Sequence, residues 1–415
     1  MEDIYEFKHP HKYPVDKESY VPIDETVTSL KEAVFKNPGG YIALMGTPGS
    51  GKSTLLSETL PTIEEARIIE YYAYVPDYPS SLRGESTNFL HDIKLALDKA
   101  GFKVEKSYEI DRSKLQNIFH RQIELLHADW QKTKIKTLIL VDGLDHIERE
   151  QDPQISMLSD LPNPELISEG IFFILGTQTE QLAKLPPRVQ NEIGQPDRRV
   201  EIQELSRGNF NDIIKKMGMD NSLSGFEDEI YRLSEGHPLA LRYLLRHLEG
   251  KSAKEEIEEI LKDTPPYDKN IENQYHSYWN QINPDYDLKH FVGLVARLRK
   301  PIDLDWIKKW SDPKALDRFQ HLMSHYFREE SSSLLTFFHS SFWAFLIKKT
   351  AKSTHNSIDD DLDKNLHREL ADKCAKEPDD SPWAWEKLYH LSCAAEHKDI
   401  LRPSESGHGE CVGVE

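Results

Sequence analysis

Cysteine is scarce in this sequence: Cys374, Cys393 and Cys411 are the only three in 415 residues, all near the C-terminus, in neither CxxC nor metal-ligand spacing. That excludes a disulfide framework and implies a reducing compartment. Basic charge is in deficit as well, with 52 Lys and Arg against 71 Asp and Glu, a net charge of −19. Such a chain is a poor electrostatic match for a nucleic-acid backbone, so a nucleic-acid partner is disfavoured. Long apolar runs are missing, and Met1-Glu2-Asp3-Ile4-Tyr5 lacks the basic and apolar regions of a signal peptide. A cytoplasmic protein with no membrane partner is therefore expected. The hydrophobic fraction of 38% is ordinary. The length suits about two to four domains with sizeable cores.

What the sequence does contain is a phosphate loop. Gly46-Thr47-Pro48-Gly49-Ser50-Gly51-Lys52-Ser53, continued by Thr54, fits G-x-x-x-x-G-K-[ST]. It lies where the mechanism needs it, between the apolar strand Tyr41-Ile42-Ala43-Leu44-Met45 and a helix from Lys52 to Leu60. The glycines let backbone N–H groups turn toward the β- and γ-phosphates, and the helix N-terminus adds partial positive charge. Lys52 supplies a full charge, and the Ser53 hydroxyl is a ligand for Mg²⁺. ATP or ADP with Mg²⁺ is the expected cofactor set.

Further strands are read at residues 67–75, 137–141, 171–175 and 199–202, alternating with helical periodicity around residues 89–97 and 115–126. Strands apolar throughout and separated by helices indicate a doubly wound parallel sheet, an α/β fold covered on both faces. The segment 77–81 breaks the strand before it. Ahead of the loop, residues 1–25 are polar and punctuated by proline, an extended arm leading to a helix at residues 28–35. Beyond about residue 206 the pattern changes to short amphipathic helices around residues 211–217, 226–234, 238–248 and 253–261. Helices continue from 270 to 350, interrupted by a short strand at residues 333–339, an order that suits a winged helix. Two more helices, at residues 365–376 and 383–397, precede a tail from 402 without periodicity. Two helices cannot bury a solenoid face alone, so they read as the start of a helical repeat array in a fragment or early-terminating version of something longer.

Leu138-Ile139-Leu140-Val141-Asp142-Gly143-Leu144-Asp145 carries two carboxylates off the C-terminal edge of an apolar strand, where the phosphate loop also ends. Asp142 is read as the Walker B residue that holds Mg²⁺, and Asp145 as the group that orients or deprotonates the attacking water. Gln178 follows the next apolar strand, where a polar side chain can reach the γ-phosphate or simply be a solvated loop residue. His146 has no second His or Cys at ligand spacing and reads as a structural neighbour.

With these motifs in order, residues 20–350 resemble the STAND class of signalling NTPases, whose NACHT and NB-ARC branches serve in immune and antiviral surveillance. Asp142-Gly143-Leu144-Asp145 looks like the extended Walker B of the NACHT branch, although His146 stands where a further acidic residue is common. Gly236-His237-Pro238-Leu239-Ala240-Leu241 is similar to the GxP motif of the helical lid, and the resemblance implies that Pro238 packs on the nucleotide. Phe337-Phe338-His339-Ser340-Ser341-Phe342 looks like the winged-helix motif whose histidine contacts the ADP β-phosphate in a closed state, without the flanking Met and Asp of the plant type. His339 is then a nucleotide sensor, or otherwise a packed histidine. Gln178 stands where many relatives carry a sensor arginine. Trp385-Glu386-Lys387-Leu388-Tyr389-His390-Leu391 resembles the opening of a repeat region.

The resulting expectation is an arm at 1–25, a P-loop NTPase domain at 26–205, an all-α helical lid at 206–265, a winged helix at 266–350, and the start of repeats with an irregular tail at 351–415. The expected function is a slow ATPase that switches between closed and open states, with self-association or a protein partner engaged through the C-terminal helices. Two other classes stay open: an origin-recognition-like, DNA-associated ATPase, for which Arg242 is the candidate lid arginine, and a degenerate nucleotide-binding scaffold without turnover.

Overall fold

The computed structural model describes residues 11–17, 19–75, 82–104, 111–147, 151, 153–351 and 360–395. The break expected at 77–81, the N-terminal ten residues, Cys411 and the tail from 402 lie outside them. Two compact units divide between Gln274 and Tyr275.

The first unit holds α1 (Asp24–Lys36), β1 (Gly40–Met45), α2 (Lys52–Thr59), β2 (Ala66–Tyr72), α3 (Ser86–Lys99), α4 (Arg112–Thr133), β3 (Lys136–Asp142), β4 (Ile171–Thr177), α5 (Pro187–Ile193) and β5 (Arg199–Glu201). Its sheet is fully parallel, in the order β2-β3-β4-β1-β5. Alternate residues serve opposite faces. Ile42, Leu44, Leu138, Leu140, Phe172 and Ile174 enter one apolar cluster, while Tyr41, Ala43, Ile139, Val141, Phe173 and Leu175 enter another. Burial on both faces explains why these strands read as unbroken apolar runs.

Helices α6 (Arg207–Lys216), α7 (Glu227–Ser234), α8 (Pro238–Leu248) and α9 (Lys254–Asp263) follow. Their apolar faces, including Phe210, Leu233, Leu244 and Leu261, join the first of the two clusters. A reciprocal box between Ser206 and Asn209 opens α6, and Pro238 occupies the first turn of α8, where its missing N–H costs nothing.

The arm before α1 spans this unit. His11 Nε2 pairs with Asp92 Oδ2 of α3 at 3.0 Å, and Arg242 of α8 reaches Asp16 at 2.5 Å. Lys216 and Asn209 of α6 donate to the carbonyls of Tyr20 and Pro22 at 2.8 and 3.0 Å. The arm therefore ties the sheet core to the helices that follow it.

Tyr275 falls within α10 (Ile271–Ile282). The second unit continues with α11 (Tyr286–Val295), β6 (Ile302–Asp303), α12 (Leu304–Ile307), α13 (Pro313–Met323), β7 (Phe327–Ser331), β8 (Leu334–Phe337), α14 (Ser340–Thr350), α15 (Asp360–Cys374) and α16 (Glu386–Cys393). Its three strands are antiparallel in the order β6-β8-β7. The core is aromatic, with Tyr275, Tyr326, Phe342 and Phe345 in mutual ring contact. The last two helices are pinned by Arg297 to Asp363, Arg299 to Glu386, and Trp383 stacked 4.2 Å from Trp306.

Several boundaries differ from those read in the sequence. Helix α1 begins at Asp24 rather than residue 28, with Asp24 and Glu25 in the first turn, where acidic groups complement the helix dipole. Strand β2 stops at Tyr72, opposite Asp142, because β3 ends there. Strand β8 ends at Phe337, and His339 leaves it to cap α14. Helix α16 starts at Glu386, after Trp383 has turned to stack on Trp306. Cys374 and Cys393 are free, and burial pushes the Cys374 thiol up to about 12. No described helix is long and apolar enough to cross a membrane.

Candidate functional site

The phosphate loop turns from β1 into α2 through two left-handed glycines, Gly49 (φ +78°) and Gly51 (φ +91°). A side chain at either is strained by its own Cβ. A Cβ on Gly46 would lie 2.2 Å from Ile202, and one on Gly49 would lie 2.4 Å from Leu239 of α8. The loop is thus wedged between Ile202, just past β5, and helix α8. Lys52 donates to the carbonyls of Gly46 and Thr47 at 2.7 and 3.0 Å, which holds its ammonium over the loop. Ser53 and Thr54 follow in the first turn of α2, whose unsatisfied N–H groups favour anions.

Strand β4 separates the loop strand from β3, so Asp142 must reach across it. Gly176 makes that possible: a Cβ there would sit 1.7 Å from Asp142 Oδ1 and 3.1 Å from Leu56. A lone glycine in an apolar strand marks a close approach, but the sequence does not say to what. Asp142 is 1% exposed. Burial raises its pKa, opposed by the Ser53 hydroxyl, the Lys52 charge and the Gly143 N–H. Its Oδ2 is buried with no hydrogen-bond partner among the described residues. An unsatisfied carboxylate oxygen beside a serine hydroxyl fits a hard, oxygen-seeking dication. Among the described residues no cluster of three His, Cys, Asp or Glu could hold a metal, so phosphate oxygens and water would complete the shell.

Asp145 binds the end of β4. Its two oxygens accept from the Gln178 N–H at 3.0 and 2.9 Å, and Oδ1 also accepts from Thr177 Oγ1 at 3.3 Å. Gln178, expected to act through its amide, is held here by its backbone. His146 stacks on Tyr74 at 4.0 Å. Asp145→Asn would remove the negative charge and one of the two oxygens that share the Gln178 N–H, while its remaining oxygen keeps the end of β4 in place. Single-turnover assays should show ATP bound but hydrolysed at least about tenfold more slowly. A wild-type rate would remove Asp145 from the chemistry.

Helix α8 meets the loop through Leu239 and through the residue before the expected proline. Pro238 Cγ lies 3.9 Å from where a Gly51 Cβ would be. His237 is fully buried, with Nε2 3.4 Å from Thr47 Oγ1 and its ring stacked 4.2 Å from Tyr267. Burial lowers its pKa to about 3, against a hydrogen bond to the Pro48 backbone. The sequence offered no signal for His237 beyond its place in Gly236-His237-Pro238. Arg242, the candidate lid arginine, is paired with Asp16. In the second unit, His339 Nδ1 accepts from the Ser341 N–H at 3.1 Å and lies 2.8 Å from Ser341 Oγ.

Residues 36–185 match the family model of the AAA domain and form a P-loop ATPase domain of that type. A comparison with curated proteins finds no match. Among solved structures, the chain is similar to Cdc6p from Pyrobaculum aerophilum at 13% identity and a TM-score of 0.42, over 80% of this chain and 96% of that one. It is similar to a STAND protein with a tetratricopeptide repeat sensor from Pyrococcus horikoshii at 14% identity and a TM-score of 0.42. That match covers 96% of this chain but only 50% of the other, so the chain spans half the length of that relative. The Aeropyrum pernix ORC2 protein, in ADPNP and ADP complexes, gives 13% identity, a TM-score of 0.41, and 80% and 95% coverage. With TM-scores below 0.5, none of these likenesses adds weight to a particular function.

Proposed function

We propose that this chain, whose residues 36–185 are an AAA-type P-loop ATPase domain, is a regulatory switch of the STAND kind that binds ATP or ADP and hydrolyses ATP slowly. The observation that carries nucleotide chemistry is the buried Asp142 beside Ser53 and Lys52, with an unpartnered Oδ2. Residues Gly46 to Thr54 bind the phosphates, and Ser53 and Asp142 hold Mg²⁺. When bound, that ion neutralises charge on the β- and γ-phosphates. Asp145 positions or deprotonates water, and Gln178 fixes the adjoining strand end. Pro238 belongs to the lid side of the same site.

A ligand shifts a conformational equilibrium only by its differential affinity for the two states. In this reading the ADP-bound state is closed and uses His339, ATP favours opening, and self-association or a protein partner at the C-terminal helices reads the change. The Ser341 N–H donates to His339 Nδ1, which places the ring proton on Nε2, the nitrogen a phosphate would need. Winged-helix character for residues 266–350 is supported by helices followed by the small β6-β8-β7 sheet. The net charge of −19 and the Arg242 to Asp16 pair disfavour the DNA-associated alternative.

Mass spectrometry of nucleotide released by denaturation, with single-turnover hydrolysis, tests the assignment. An empty site and no turnover would overturn it. His339→Ala should release ADP about tenfold faster or more and scatter as a larger particle, while Ser332→Ala in the exposed β7–β8 turn should not. Ser341 is unsuitable as a control because its hydroxyl lies 2.8 Å from both His339 Nδ1 and Tyr275 OH. Equal ADP release for wild type and His339→Ala would leave this histidine a helix cap.

A further inference from the structure

We propose that the paired rings of His367 and His390 form an acid-released latch, which holds α16 on α15 only while both histidines are neutral. The inference is independent of the nucleotide site.

His367 Nδ1 lies 2.9 Å from His390 Nδ1, and both residues are buried. At that separation one nitrogen donates and the other accepts, so the two share a single proton. Their surroundings decide which ring gives it. Asp363, one turn before His367, presents Oδ2 3.9 Å from His367 Nε2, while its Oδ1 accepts from Arg297 at 2.6 Å. The carboxylate favours a proton on His367 Nε2 and leaves Nδ1 to accept. His390 then donates from Nδ1 and keeps a bare Nε2, a nitrogen that is buried with no hydrogen-bond partner among the described residues. The reverse assignment would bury an unsatisfied N–H and turn a lone pair toward a carboxylate.

A further proton breaks this arrangement wherever it lands. On His367 Nδ1 it sets two N–H groups against each other; on His390 Nε2 it makes a buried cation without an acceptor. The neighbouring charges give little relief. Arg297, just past α11, is tied to Asp363 and to Thr350 of α14. Arg299 pairs with Glu386 at the start of α16, where Lys300 is 3.7 Å away, and its guanidinium lies over Tyr389, whose ring contacts both histidines. Cys393 follows one turn after Tyr389 on α16. His290 of α11 pairs with Glu369 at 2.7 Å, two residues past His367 and so across α15 from it; charging His290 would strengthen that pair, an effect of opposite sign. Burial pushes both rings below the ordinary histidine value, opposed by Asp363 at His367 and reinforced by Arg299 at His390.

A histidine that is neutral when packed and free to charge when released contributes its full stability above about pH 6.5 and loses it as the pH falls below that value. Between pH 7.5 and 5.5 each released ring shifts the equilibrium about 10-fold, and the pair about 100-fold.

Hydrogen exchange on the full chain, read by mass spectrometry on α16 peptides and corrected for the pH dependence of the intrinsic rate, tests the latch. The expected result is about 100-fold more opening of α16 at pH 5.5 than at pH 7.5, with β3 still protected. His390→Gln supplies an amide oxygen that can accept from a charged His367, so its response should shrink to about 10-fold or less. Equal protection of α16 at the two pH values overturns the proposal, as does a His390→Gln response as large as that of the wild type. If His390→Gln leaves α16 unprotected even at pH 7.5, the wild-type slope between pH 6 and 5 decides: uptake nearer two protons per opening upholds the latch, and uptake nearer one or none overturns it.

Discussion

Replacing Lys52 by alanine should lower affinity for ADP and for ATP with Mg²⁺ by about 100-fold or more. The ammonium sits over the loop on the carbonyls of Gly46 and Thr47. A charge-assisted hydrogen bond from that group to phosphate is worth about 1.5–3 kcal/mol, roughly one to two decades of affinity, and the lost full charge adds to it. Without the charge, phosphate faces only backbone dipoles at the start of α2. Calorimetry reads the change directly. An unchanged dissociation constant would mean that the loop does not hold phosphate, whatever its sequence.

The second large effect should come from a residue that touches no ligand. Gly176→Ala puts a methyl group 1.7 Å from Asp142 Oδ1 inside a sheet buried on both faces, with Leu56 3.1 Å away on the helix side. Something must move, and the carboxylate is the movable part. Overpacking of this kind costs about 1–3 kcal/mol, a fall of about 2–12 °C in melting temperature for a domain this size. Displacement of a reacting group by an ångström costs about 100-fold in rate. The expected signature is loss of hydrolysis with ADP binding retained, because the loop itself is untouched. If Gly176→Ala hydrolyses ATP like wild type, Asp142 is not the metal-holding carboxylate.

These two cases also mark how far the sequence could be read. The loop is local: Lys52 and Ser53 follow the glycines directly, and β1 and β3 announce themselves because both faces of each are buried. Asp142 is legible as the first charge after such a strand. Gly176 is not, since nothing in the chain order says that β4 lies between β3 and β1. His237 is illegible for a related reason. Its cap to Ala240 is local, but its second nitrogen meets Thr47, 190 residues away. The bond from the Gln178 backbone N–H to Asp145 was not legible either, since it joins the ends of two different strands. Helix ends moved by a few residues where a tertiary contact intervened, as with Trp383 on Trp306.

The arm of residues 11–23 gives the protein an order of assembly that its finished form conceals. His11 pairs with a residue 81 positions later and Asp16 with one 226 positions later. Both are closures of long loops, which come late because their entropy is repaid only by partners already in place. At about 5–20 residues per second, Arg242 emerges about 10–45 s after Asp16. The arm is thus made well before its last partner and is among the last elements of its unit to dock. For that interval it trails from the growing chain as an unpaired tether, open to proteases, chaperones and any factor that recognises the polypeptide before it is complete.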